Sequence, residues 1–120
     1  MSGTKVYTLK NCDSCRAAVK WLKARGLAFE EKPIRETPPT QAELRAMLAV
    51  FEGDRRRLLN TAGRDYRELK LAEALPAMSD DQVLQLLAGN GNLVKRPFLL
   101  GPGVGLVGFD EAVWVSAFGH

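Results

Sequence analysis

One histidine, His120, and two cysteines, Cys12 and Cys15, are the only imidazole and thiol groups in this chain of 120 residues. A structural zinc site takes four such ligands, so no metal site is expected. A cysteine–histidine hydrolase dyad is not expected either, because the sole histidine stands at the C-terminus. Long apolar runs are missing: the uncharged stretch Phe98 to Phe109 is 12 residues broken by four glycines and Pro102. A membrane helix needs about 20 apolar residues, so no membrane span is expected. Met1 to Thr8 lacks the apolar core of a secretory signal, which places the expected location in the cytoplasm. With acids and bases interspersed and a formal charge of only +3, direct nucleic-acid binding is not expected. Repeats and low-complexity segments are absent too. What remains, 46% hydrophobic and 26% charged, is the composition of one globular domain spanning 1–120.

The two cysteines stand three apart in Asn11-Cys12-Asp13-Ser14-Cys15-Arg16, where a strand pattern gives way to a helical one. A helix N-terminus offers unpaired N–H groups and the positive end of the dipole, and both favour a thiolate over a thiol. Cys15, one turn on, is within reach to close a disulfide with Cys12. Lys10 and Arg16 are expected to push in the same direction as the dipole. Buried inert thiols are the alternative, but Cys12 lies among Asn11, Asp13 and Ser14, a poor setting for an apolar filler. In a reducing compartment such a pair points to catalysis or sensing before a structural disulfide.

Lys5 to Leu9 alternates as a strand, and Cys15 to Arg25 carries Ala18, Val19 and Leu22 at helical spacing before Gly26. Phe29 to Ile34 reads as a second strand, giving a βαβ unit with parallel strands. Thr40 with Glu43 and Ser79 with Gln82 are capping boxes opening helices that end at Gly53 and at Gly89. Arg55 to Asn60 and Tyr66 to Leu75 read as shorter helical pieces; Arg55-Arg56-Arg57 reads as a solvated face. Phe98-Leu99-Leu100 and Leu106-Val107 flank Gly101-Pro102-Gly103-Val104-Gly105 as a hairpin, and this loop lacks the lysine of a phosphate-binding one. Asp110 caps a last helix carrying Val113, Trp114 and Phe118, and Trp21 and Trp114 read as packing residues. The expected fold is α/β: a mixed four-stranded sheet with a helical insertion at about 40–90, and the dithiol at the carboxyl end of the first strand.

Three segments carry a resemblance: the cysteine motif, Leu58-Leu59-Asn60-Thr61-Ala62-Gly63-Arg64-Asp65-Tyr66-Arg67-Glu68-Leu69, and Leu93-Val94-Lys95-Arg96-Pro97 with Val107-Gly108-Phe109. Over nearly its whole length the chain resembles the ArsC/Spx family of thioredoxin-fold proteins, and Lys95-Arg96-Pro97 is the more specific of the motifs. The resemblance implies a thioredoxin-like sheet, Cys12 as nucleophile, Cys15 as resolving thiol, and Arg96 holding an anionic group, with Pro97 as a cis proline beside the cysteine. Lys10, Asn11, Arg96 and Pro97 are the candidate substrate-binding residues. The implied activity is thiol–disulfide exchange on a disulfide or protein disulfide substrate, with no bound cofactor and glutathione, or glutaredoxin, as co-substrate. A redox-sensing regulator that binds RNA polymerase is the alternative. Family arsenate reductases use two further arginines, at positions occupied here by Asn60 and Phe109, which argues against arsenate as the substrate.

Overall fold

Among the described residues, four short strands and six α-helices run in the order β1 (Lys5–Thr8), α1 (Asp13–Ala24), β2 (Glu30–Pro33), α2 (Gln41–Val50), α3 (Arg64–Glu68), α4 (Leu71–Ala74), α5 (Asp80–Gly89), β3 (Phe98–Gly101), β4 (Val104–Val107) and α6 (Glu111–Ala117). The computed structural model describes residues 3–119; Met1 and His120, on which part of the sequence reading falls, lie outside them, as does Ser2. Two compact units are resolved: one from the residues up to Pro33 together with those from Arg96 onward, the other Ile34–Lys95. No helix among the described residues is long and apolar enough to cross a membrane.

The first unit is the sheet, ordered β2-β1-β3-β4. β1 pairs with β2 in parallel and with β3 in antiparallel, and β3 pairs with β4 in antiparallel, so the sheet is mixed as expected. Side chains alternate between faces along a strand. Val6, Leu99 and Leu106 are therefore brought side by side by the register, and they pack with Ala18 and Leu22 of α1 and Trp114 of α6. Tyr7 and Phe98 pair on the opposite face with rings edge to face at 5.8 Å. The hairpin turn is tighter than the five-residue loop expected: only Pro102 and Gly103 lie between β3 and β4. Proline presets the first turn position and Gly103, at φ +72°, supplies the positive φ of the second.

The second unit is helical. Both capping boxes form, with Thr40 Oγ1 accepting from Glu43 N and Ser79 Oγ from Gln82 N. They position α2 and α5, which pack together through Leu44, Met47, Val83, Leu84 and Leu87, all fully buried. The helix expected over Tyr66 to Leu75 is instead two pieces, because Lys70 takes a left-handed backbone at φ 53° between α3 and α4. Nor is Arg55-Arg56-Arg57 simply a solvated face. Arg55 turns inward to donate to the carbonyls of Met78, at 2.6 Å, and Leu75, and it pairs with Asp80; Arg57 stacks over Phe51.

Within this unit Asn90 and Asn92 both donate to Asp65, and Arg35 donates to Asn92. The contact brings the Gly91 backbone against Ile34: a Cβ built at Gly91 would lie 1.8 Å from the Ile34 carbonyl oxygen. Neither partner is a flexible side chain, so Gly91→Ala is expected to cost about 3 kcal/mol, the upper end of the usual overpacking range. Urea denaturation reads this as a lowered midpoint; an unchanged midpoint would contradict the close approach.

Candidate redox site

α1 begins where the sequence places a thiol at its N-cap. Cys12 adopts an extended backbone (φ −106°, ψ 116°), and its sulfur accepts the N–H of Cys15 at 3.3 Å. This is the geometry an N-cap serine or aspartate uses, with sulfur in place of oxygen. Asn11, immediately before, sits at φ 66°, a left-handed conformation that asparagine tolerates better than most residues. Its place in the site is thus partly a backbone requirement, which the cysteine spacing did not reveal.

The two sulfurs stand in different surroundings. Cys12 is partly exposed, whereas Cys15 is buried with 2% of its surface accessible, and both are free thiols. Burial alone pushes the Cys12 thiol up, but hydrogen bonds from the Cys15 thiol, the Ser14 hydroxyl (3.3 Å) and the Cys15 N–H outweigh it. With the charge of Arg96 added, Cys12 is held below its ordinary value of 9.0. Burial pushes the Cys15 thiol up to about 12; its hydrogen bond to Cys12 and the Cys12 charge add to the rise, and the Leu9 N–H and Arg96 only partly oppose it. The two thiols are therefore displaced in opposite directions, Cys12 towards the thiolate and Cys15 towards the protonated form.

Arg96 belongs to the segment leading into β3, and its charge acts on both cysteines. The Arg96–Pro97 peptide is cis, and the Pro97 carbonyl accepts from Gly108 N at 2.8 Å, tying this segment to the end of β4. Cys12, Cys15, Arg96 and Pro97 are thus assembled by one unit of the fold. Lys10 and Asn11 line a groove beside them together with Cys15. Lys10 and Arg16, expected to favour the thiolate, are not the groups that act on Cys12 most strongly; Arg16 instead pairs with Asp13. Phe109 is engaged in packing, its ring 4.9 Å from Trp114 and 6.4 Å from Trp21. In the helical unit, the Asn60 side chain donates to the Asn92 carbonyl at 3.4 Å.

Ser14 was not a candidate from the sequence, where it reads as one more polar loop residue. A hydroxyl two residues after an N-cap cysteine is the signal that marks it, because it can donate to the sulfur. Ser14→Ala is expected to raise the Cys12 pKa and slow its alkylation at pH 7 by roughly twofold to tenfold, the worth of one net hydrogen bond. Iodoacetamide kinetics check this, and an unchanged rate would remove Ser14 from the site.

Comparison with known proteins places this geometry among relatives. The model of the ArsC family matches residues 7–117. The uncharacterised protein YusI of Bacillus subtilis is 42% identical over 105 residues, covering 88% of this chain and 89% of YusI. The global transcriptional regulator Spx of Streptococcus agalactiae is 31% identical over 106 residues, covering 88% of this chain and 76% of Spx. Among solved structures, one from Streptococcus mutans described as a possible arsenate reductase superposes with a TM-score of 0.84 at 29% identity, covering 91% of this chain and 92% of that one.

Proposed function

The chain belongs to the ArsC family, and we propose that within it the protein works as a thiol–disulfide oxidoreductase acting through Cys12 and Cys15. The observation that carries this reading is the opposite displacement of the two thiols, Cys12 below its ordinary value and Cys15 up to about 12. A nucleophile must be ionised at working pH, whereas a resolving thiol must stay protonated until the first step is over.

In the first step the Cys12 thiolate attacks one sulfur of a disulfide. A Cys12–sulfur bond forms, the substrate's sulfur–sulfur bond breaks, and the departing thiolate takes a proton from solvent. Cys12 then carries no charge and no longer accepts the hydrogen bond of Cys15, so two of the three causes that raise Cys15 disappear. Cys15 gives its proton to solvent and attacks the Cys12 sulfur; the Cys12–Cys15 bond closes and the second substrate thiolate leaves. Two glutathione molecules, or a dithiol glutaredoxin, return the pair to the reduced state and are oxidised to a disulfide in turn. Arg96 stabilises the thiolate and anchors an anionic group of the substrate, Pro97 shapes the wall beside it, and Lys10 and Asn11 bound the approach. Substrate and reductant meet the protein in a reducing compartment, the cytoplasm.

Cys15→Ser stops this sequence halfway. The expected result is a mixed disulfide accumulating on Cys12, seen as an added mass in the intact protein and lost on reduction, and absent from Cys12→Ser. No adduct on Cys15→Ser would overturn the reading.

The 31% identity to Spx supports a second reading, in which the Cys12–Cys15 disulfide is a signal read by RNA polymerase. Turnover of a disulfide with glutathione favours the enzyme. Capture of polymerase by the oxidised protein, with no turnover, favours the regulator.

A further inference from the structure

Beside the dithiol, α1 and the edge strand β2 enclose a groove of about 1120 Å³. Its floor is apolar, from Leu9, Val19 and Pro33, and its rim is basic, from Lys10, Arg16, Lys20 and Lys23, with Glu31 the one acid among its lining residues. Arg16, Lys20 and Lys23 follow helical spacing i, i+4, i+7 and so stand in one stripe. Among the described residues no ion pair engages Lys10, Lys20 or Lys23. Glu31 is engaged by Thr8, whose hydroxyl donates to it at 2.6 Å.

We propose that this groove receives an acidic polypeptide segment that carries apolar residues, and thereby selects protein disulfides with Asp, Glu and Leu-like residues near the cysteine. The proposal rests on the oxidoreductase reading and names its substrate class. Charge complementarity commits the occupant: three unpaired ammonium groups line an apolar floor, and carboxylates flanking an apolar side chain match both. Size commits it further. From Cys15 to Lys23 the helix rises about 12 Å, enough for about four extended residues. The volume also exceeds the roughly 300–1,000 Å³ of ordinary small-molecule sites. A polyphosphate backbone fits less well, because it finds no partner for the apolar floor. Asn11 and Cys15, which flank Cys12 in the motif, both line the groove, so a segment lying in it would carry its neighbouring disulfide close to Cys12. This is the intramolecular advantage that positioning residues provide.

Two measurements separate the groove from the chemistry. In the first, a fluorescent, cysteine-free peptide of Glu, Asp and Leu is titrated with the reduced protein and followed by anisotropy. Saturable binding is expected, weakened roughly tenfold in Lys20→Glu/Lys23→Glu and by about 0.5 M salt. Circular dichroism of that variant establishes that it is folded, and Lys20→Arg/Lys23→Arg is expected to bind as the parent does. In the second, the same sequence and its Lys-for-Glu counterpart, each with one cysteine in a mixed disulfide with thionitrobenzoate, are compared as substrates. The acidic peptide is expected to react at least several-fold faster, and the ratio is expected to fall to one or invert in the double variant. No peptide binding overturns the proposal, as do equal rates for the two peptides, displacement of the peptide by S-methylglutathione, or tighter binding of a single-stranded oligonucleotide. Binding of the acidic peptide with no reduction of either disulfide leaves the groove standing and sinks the oxidoreductase reading instead.

Discussion

Cys12→Ser is expected to reduce turnover of any disulfide substrate to the uncatalysed background, with glutathione and glutaredoxin both present. A serine hydroxyl retains the hydrogen-bonding geometry of the cap, since it accepts an N–H as readily as sulfur does. It cannot supply the thiolate, and the thiolate is the attacking species. The loss is therefore chemical and not conformational, and the denaturation midpoint should move little. Cys15→Ser should behave differently, keeping a single round of reaction at Cys12 and losing multiple turnover. Residual catalysis by Cys12→Ser equal to the parent would show that Cys15, or no cysteine at all, carries the reaction.

The second large effect concerns arsenate, and it is an expected failure. If, as the family resemblance implies, Asn60 and Phe109 stand where two oxyanion-binding arginines are found, Arg96 is the one that remains. Each charge-assisted hydrogen bond lost is worth about 1.5 to 3 kcal/mol, so two lost bonds imply roughly 3 to 6 kcal/mol, or a hundredfold to more than ten-thousandfold in rate. Arsenate reduction with glutathione and glutaredoxin should be slower by that factor than in a family member carrying all three arginines. Asn60→Arg should recover part of the deficit. Phe109→Arg is the poorer test, because the Phe109 ring is packed against Trp114 and Trp21. Fast arsenate turnover by the unmodified protein would mean that other cations, such as Lys10, Arg16 or Arg64, hold the oxyanion.

Much of this architecture is legible in the chain because its signals are local. The Thr40–Glu43 and Ser79–Gln82 boxes need only four residues to declare a helix start, and both form. Asp110 caps α6 through the N–H of Ala112. Cys12 and Cys15 declare a thiol site by spacing alone. What is hidden depends on partners distant in sequence. Lys70 gives no turn signal of its own, yet takes a left-handed backbone between α3 and α4. Arg55 looks like one of three solvated arginines until carbonyls of residues 20 and 23 positions away come within reach. Lys20 and Lys23 read as the polar face of an amphipathic helix, and only the placement of β2 beside α1 makes them the rim of a groove. The Ser14 contribution is local but weak, which is why a hydroxyl among polar neighbours passes unnoticed.

The division of the dithiol into one ionised and one protonated sulfur is the claim from which the mechanism follows. It is tested by the rate of iodoacetamide alkylation against pH in Cys15→Ser and in Cys12→Ser, each retaining one thiol, and in the parent protein with the modified cysteine identified by peptide mass. A group held below its ordinary value is ionised at lower pH, so Cys12 should reach half its limiting rate below pH 9.0. Cys15 in the parent should stay unreactive until near pH 12. In Cys12→Ser, with the thiolate beside it gone, Cys15 should titrate lower than in the parent while remaining above 9.0, because its burial persists. A Cys12 midpoint at or above 9.0, or alkylation of Cys15 ahead of Cys12 in the parent, would contradict the account.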